Sequence, residues 1–398
     1  MFPSNTTGWS THLKRSSPRK QIILIIGPKP PPYHGVSVAI EKLLNSYLNK
    51  RFDVYHVDLA DRRGIQHVGN PDIYNVILFF RQFFNAAKII CFKRPLIAYL
   101  PISQKTLGIL RDSFFILLCL TGGCRVVLHL HGGNFKNWYE QRIRIFRIVI
   151  RMIIRPIAKM IVLSESFKNM FDGLIPPQKI AVVPNGVGSP PVLKELADRS
   201  LKRSSTALTV LYLGTLLRNK GVLVLLNSIP MVINERLDTR FIFAGPWFDE
   251  RDRKEAVDII KSRGIENAVH FTGAVAGRRK WEILKTSDIF VFPGIQQEGQ
   301  PLVVLEAMAA GLPVIYTDRG CLSDVISDAD NGFQVRINDP EDLAHKILLL
   351  ARDPCMMREM GQRSRRRYES KYTDEHYISN MMNVFTTLSE GSASSNEV

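Results

Sequence analysis

The chain has 398 residues, 45% of them hydrophobic and 23% charged, a balance that excludes a fibrous or wholly disordered protein and fits two globular domains of roughly 170–200 residues each. Its formal net charge of +16 is segregated: residues 1–190 carry 26 Lys and Arg against 9 Asp and Glu, and the remainder 27 against 28. The five cysteines (Cys91, Cys119, Cys124, Cys321 and Cys355) are odd in number and scattered, which argues against a disulfide framework or zinc spacing and predicts free thiols.

Residues 1–20 are polar and basic. They lack the apolar core of a secretory signal and are expected to form a disordered tail. Gln21–Ile26 reads as a buried parallel strand, continuously apolar and rich in β-branched residues. A Pro-rich loop, His34-Gly35-Val36 and a helical pattern over Val38–Leu48 follow, the opening of a Rossmann-like unit. Further strands are predicted at Leu96–Leu100, Arg125–His131, Lys159–Leu163 and Ile180–Val183, with helices between them. Residues 188–206 are rich in Gly, Pro, Ser, Lys and Arg and read as a linker. A second α/β series begins at Leu208–Leu213. Its later strands are predicted at Arg240–Ala244, Val269–Thr272, Asp288–Phe292, Val314–Tyr316 and Gly332–Val335. The alternation predicts two parallel α/β domains, residues 21–187 and 207–373. A terminal helix over residues 374–390 is expected to cross back to the first domain, ahead of a polar tail at 391–398. No apolar run reaches the roughly 18 residues of a membrane span, Phe114–Leu120 being the nearest. A cytoplasmic protein, free or peripheral on a membrane, is therefore expected.

The strongest chemical signal is Glu298-Gly299-Gln300-Pro301-Leu302-Val303-Val304-Leu305-Glu306-Ala307-Met308-Ala309-Ala310-Gly311. A buried strand ends in a Gly/Pro loop, and a helix is predicted to start with Pro301 in its first turn, where its missing N–H is not needed. Such a helix start presents free N–H groups and partial positive charge, a seat for phosphate or sugar oxygens at the carboxyl ends of parallel strands. Glu306 sits in an otherwise apolar helix, and a carboxylate there needs a partner. Gly214-Thr215-Leu216-Leu217-Arg218-Asn219-Lys220-Gly221 likewise joins a strand to a helix. His129 and His131 alternate onto one side of a strand end, with no carboxylate or cysteine beside them to complete a metal site.

In these residues the chain resembles the retaining glycosyltransferases of family four, which have the GT-B fold. The resemblance runs over roughly residues 21–385 and is strongest in the second half. It implies two Rossmann-like domains facing a central cleft, and transfer of a hexose from a UDP- or GDP-linked sugar to a glycan or lipid-linked glycan with retention of configuration, in polysaccharide biosynthesis. It implies Glu298 on the donor sugar, Glu306 on the ribose, and the segment Gly299, Gln300, Pro301 and Leu302 near sugar and phosphate, although Pro301 has no N–H. Lys220 matches the family's diphosphate-binding lysine. The arginine of that motif is Thr215 here, with Arg218 as a candidate substitute. His131 matches a cleft histidine facing the sugar, and Gly35 a loop near the diphosphate. The resemblance implies no metal and no cofactor. A non-catalytic partner subunit and a sugar-nucleotide epimerase of the same fold are the alternatives.

The basic first half has its own pattern. Arg144, Arg147, Arg151 and Arg155 recur at helical spacing over 140–159, and aromatic and basic residues mix over 76–93. Basic amphipathic helices bind anionic membrane surfaces. No groove-reading or single-strand motif accompanies them, so an anionic membrane is the expected partner and nucleic acid is not.

Overall fold

The structure, a computed structural model, describes residues 20–63, 72–188 and 207–391. The expected basic tail, the linker and the polar tail lie, but for edge residues, outside the described residues. The first domain is a six-stranded parallel sheet in the order β2-β1-β3-β4-β5-β6. Its strands are β1 (Gln21–Gly27), β2 (Phe52–Asp58), β3 (Ile97–Ile102), β4 (Arg125–Leu130), β5 (Lys159–Val162) and β6 (Ile180–Val182). The second is a six-stranded parallel sheet in the order β12-β11-β10-β7-β8-β9. Here the strands are β7 (Leu208–Leu213), β8 (Thr239–Ala244), β9 (Val269–Gly273), β10 (Ile289–Phe292), β11 (Val314–Thr317) and β12 (Gly332–Val335).

Side chains alternate across each strand, so each sheet builds two apolar layers. In the first domain Leu24, Leu100, Leu128 and Val162 face the helices Ile73–Lys93, Thr106–Thr121 and Arg144–Ile154, from which Ala86, Ile90, Ile109, Phe115, Ile150 and Ile154 point inward. Ile23, Ile25, Tyr99 and Val127 face the other way, onto the helix Gly35–Leu44 and the terminal helix Asp374–Glu390. That terminal helix follows the second domain in sequence, yet Tyr377, Ile378, Met381 and Phe385 complete the first domain's core. Lys42 fixes its start, donating to Asp374 at 2.6 Å.

Three local features differ from the sequence reading. Strand β2 is an edge strand whose Asp53, Tyr55, His56 and Asp58 interrupt the apolar pattern, and edge strands need only half a buried face. The helix Gly35–Leu44 starts ahead of Val38 because His34 caps it: Ser37 N–H donates to His34 Nδ1 at 3.4 Å, and Ser37 Oγ accepts from His34 N–H at 3.0 Å. The helix Ile73–Lys93 is long and apolar enough to cross a membrane by length and composition, with mean hydropathy 1.3 over its most apolar 18 residues. Arg81, Gln82 and Lys88 interrupt its apolar run, so no continuous stretch of the sequence marks it.

Candidate active site

Two loops from the carboxyl ends of neighbouring strands meet in the second domain. The first leaves β7 at Gly214, makes a tight turn over Arg218–Lys220 and enters the helix Val222–Glu235 through Gly221, whose φ of 82° is left-handed. A Cβ on Gly221 would overlap the Pro293 carbonyl, so only glycine allows the loops to approach. The second loop leaves β10 and carries Glu298. The loops are joined by Ile295 and Gln296 N–H donating to the Asn219 carbonyl at 2.9 and 3.2 Å. Tyr212, buried beneath, donates from its hydroxyl to the Thr215 carbonyl at 3.0 Å. Burial, and then the charge of Glu298, push that hydroxyl well above its usual pKa.

This scaffold brings Lys220 and Glu298, 78 residues apart in sequence, into a direct ion pair. Gln296 Nε2 donates to the same Glu298 oxygen at 3.0 Å, and Lys220 Nζ lies 5.9 Å from the centre of the Phe292 ring. Arg218 points elsewhere. Its backbone N–H donates to Asp252 at 2.7 Å and its guanidinium pairs with Glu255 and Asp252. Thr215 is exposed beside it.

Glu306 lies in the helix Leu302–Ala309 and is only 8% exposed. Lys280, from the helix Gly277–Thr286, donates to Glu306 Oε1 at 2.6 Å. The other oxygen, Oε2, is enclosed and has no hydrogen-bond partner, a buried acceptor left unsatisfied. Lys280 belongs to no motif. The only sequence signal for it was the need of Glu306 for a partner. Pro301 is the cap of this helix, with φ −64° and ψ 121°, rather than a first-turn residue; the helix proper begins at Leu302.

The first domain closes on this loop. A Cβ on Gly133 would overlap the Glu298 carbonyl, and one on Gly299 would overlap the His131 carbonyl. The main chains of His131–Gly133 and Glu298–Gly299 therefore run in contact across the interdomain cleft. Asn185 bridges the domains twice: its N–H donates to Gln300 Oε1 at 2.6 Å and its Nδ2 to the Gln300 carbonyl at 3.0 Å. Ser166 Oγ donates to Asp324 at 2.6 Å. Gly35 and Leu302, the first residues of two helices from different domains, line one narrow crevice with Lys42 and Asn185. Two positive helix ends thus converge on the cleft.

His129 and His131 stack with ring centres 3.9 Å apart. His129 is fully buried, with its Nδ1 2.8 Å from the Tyr99 hydroxyl. The Nε2 atoms of both rings are enclosed and unpartnered. Burial, with His34 adding to it, lowers the His131 pKa to about 3, so its imidazole is neutral at physiological pH. Among the described residues no group of three or more His, Cys, Asp or Glu side chains is placed to hold a metal ion.

Residues 194–367 match the family model for glycosyl transferases group 1. Spore coat protein SA of Bacillus subtilis is 31% identical over 180 residues, 44% of this chain and 48% of that protein. The GDP-mannose:cellobiosyl-diphosphopolyprenol alpha-mannosyltransferase of Xanthomonas campestris is 25% identical over 303 residues, 70% of this chain and 77% of that one. The chain spans only about half to three-fifths of the length of two of the relatives it matches. Among solved structures, Anabaena HepE in complex with UDP and glucose superimposes with a TM-score of 0.70 at 16% identity, covering 92% of this chain and 100% of that one. The architecture is the GT-B fold, two parallel α/β domains facing a cleft.

Proposed function

We propose that the chain transfers a hexose from a UDP- or GDP-linked sugar to a glycan or lipid-linked glycan, with retention of configuration and without a metal, at the cytoplasmic face of a membrane during polysaccharide assembly. One observation carries this reading. The Lys220–Glu298 pair joins neighbouring loops of one domain, the unpartnered Glu306 Oε2 lies on the helix that follows the Glu298 loop, and that loop faces the His131–Gly133 strand end of the other domain. A cation for a diphosphate, a carboxylate for sugar hydroxyls and a carboxylate for a ribose are what such a donor requires. The names of the relatives support the substrate class: HepE was solved with UDP and glucose, and the Xanthomonas protein uses GDP-mannose and a diphosphopolyprenol acceptor.

In this reading Lys220 leaves Glu298 for the donor diphosphate, and the released carboxylate accepts from hydroxyls of the sugar. The two helix starts at Gly35 and Leu302 stabilise charge growing on the leaving phosphate. Neutral His131 orients the sugar without exchanging a proton. The acceptor hydroxyl attacks the face from which the diphosphate departs, and its proton passes to the departing phosphate oxygen. The protein's part is positioning and charge stabilisation. Arg218 pairs with two carboxylates away from Glu298, and in this reading the diphosphate is bound by Lys220 and the helix ends.

The test is a thermal-shift titration with UDP, GDP, ADP and CDP, followed by transfer from the matching sugar nucleotide in the presence of EDTA and NMR of the product anomer. Stabilisation by one nucleotide that Glu306→Ala weakens supports the donor site. Stabilisation by none, or an inverted product, overturns the reading. Binding without transfer to any acceptor would favour a partner subunit instead, and donor altered without transfer an epimerase.

A further inference from the structure

A helix that covers one face of a sheet needs one apolar stripe, and its outer face is ordinarily polar. Three helices of the first domain break this rule together. Ile73–Lys93, Thr106–Thr121 and Arg144–Ile154 lie side by side on the same face of the sheet. Phe79 of the first and Phe114 of the second have ring centres 5.7 Å apart. Each helix sends one stripe into the core and shows a second one to solvent. The outer stripe is Ile73, Ile77, Phe80 and Phe84 on the first helix; Leu107, Leu110, Phe114 and Leu117 on the second; and Ile145, Ile148 and Met152 on the third. With their flanking residues these helices hold sixteen of the twenty-two large apolar side chains that are exposed among the described residues. An apolar surface of this extent marks contact with a partner or a membrane.

The charge of this face identifies which. The only carboxylate in the three helices is Asp112, and it is buried, accepting Ser103 N–H at 2.8 Å and pairing with Arg111. Arg81, Lys88, Arg144 and Arg151 are exposed, and among the described residues none pairs with a carboxylate. By helical spacing Lys88 continues the Ile73–Phe84 stripe, and Arg144 and Arg151 flank Ile148. Apolar stripes among unpaired cations fit an anionic bilayer, where rings and aliphatic chains enter the acyl boundary and the cations meet headgroups. We infer that these three helices form one plateau that seats the protein flat on an anionic lipid surface.

This deepens the membrane location proposed above by naming the surface that makes it. The helix Ile73–Lys93 does not need to span, because its inner residues Gln82, Ala86 and Ile90 are built into the protein. The seat also adjoins the cleft. Gln104, just ahead of the helix Thr106–Thr121, accepts from Asn134 N–H at 2.7 Å, and Arg142 donates to Thr106 at 3.4 Å. The loop carrying His131 is thus tied to the plateau's edge, which places a lipid-borne acceptor beside the proposed donor site.

The experiment is co-sedimentation of the full chain with phosphatidylcholine vesicles, with and without phosphatidylglycerol, using wild type, Phe80→Glu/Phe84→Glu and Phe114→Trp. Wild type binds the anionic vesicles, and the double variant partitions at least about tenfold more weakly. Phe114→Trp shows a blue-shifted emission on adding those vesicles, a readout that does not depend on the double variant folding. No binding, equal binding to neutral vesicles, or undiminished binding by a folded double variant overturns the inference. So does a wild-type dimer in sedimentation velocity that the double substitution dissociates, since a second copy would then cover the plateau. Nucleotide thermal shifts, read in parallel, report on the donor site alone and separate its failure from that of the plateau.

Discussion

Replacing Lys280 by Met tests whether the Glu306 pair organises the donor domain. The substitution keeps most of the aliphatic stem and removes the ammonium that lies 2.6 Å from Glu306 Oε1. Lys280 keeps 23% of its side chain in solvent and Glu306 only 11%. The pair therefore falls between an exposed bridge, worth up to about 1 kcal/mol, and a buried one, whose breakage costs about 3–5 kcal/mol. A loss of about 2 kcal/mol is expected. For a domain of this size that corresponds to a fall in melting temperature of about 4–8 °C. Glu306→Gln added to Lys280→Met should recover part of the loss, with a coupling of about 1–2 kcal/mol in the double-mutant cycle. Scanning calorimetry of the four proteins gives the numbers, and nucleotide titration of the same samples shows whether binding falls with the pair. If Lys280→Met melts with wild type, or the two changes add within about 0.5 kcal/mol, the ion pair holds nothing and the reasoning is refuted.

Further expectations concern the cleft. Because His131 is held at about 3, below the 6.5 of a free imidazole, the unfolded chain takes up a proton at that residue as pH falls below about 6.5 while the folded chain does not. Stability contributed by neutral His131 is thus present above about 6.5 and drains as pH drops toward about 3, by at most about 1.4 kcal/mol per pH unit. His131→Gln should accordingly lose less melting temperature than wild type between about pH 7.5 and about pH 5; equal losses would contradict this. Gly133→Ala forces a methyl group onto the Glu298 carbonyl, and should separate the domains and abolish transfer while small-angle scattering shows a larger radius of gyration and circular dichroism is unchanged. Asn185→Ala keeps the backbone N–H bond to Gln300 Oε1 but removes the Nδ2 donor of the Gln300 main-chain carbonyl, and should cost about 1–3 kcal/mol in urea unfolding.

Much of the architecture was legible because buried parallel strands are written in continuous apolar letters. Strands such as Leu208–Leu213 and Ile289–Phe292 need no context to be recognised. Strand β2 was not legible because an edge strand tolerates Asp53 and Asp58, and the helix Pro354–Lys371 because only Met360, Gly361, Ser364 and Tyr368 of its eighteen residues are buried. In the site, Lys220, Glu298 and Glu306 stood out because loop glycines and a carboxylate in an apolar helix are locally unusual. Lys280 and Asp324 did not. Each acts across a long sequence separation, and a single lysine or aspartate on a helix or turn has no local signature of the partner it will meet. The second apolar stripe of the plateau was hidden for a related reason: a residue's exposure is decided by packing, and Phe80 and Phe83 read alike until one turns inward.

The terminal helix has a consequence for biosynthesis. A ribosome emits the first domain's strands within the first half of translation, but Tyr377, Ile378, Met381 and Phe385, which wall one side of that domain, emerge only after the entire second domain. The nascent first domain therefore waits with Ile23, Ile25, Tyr99 and Val127 covered on that side only by the helix Gly35–Leu44, a partly open apolar sheet face exposed to chaperones and to misassembly. Its last wall arrives with residues made almost two hundred positions after β6. Maturation of the older half is gated by completion of the younger one.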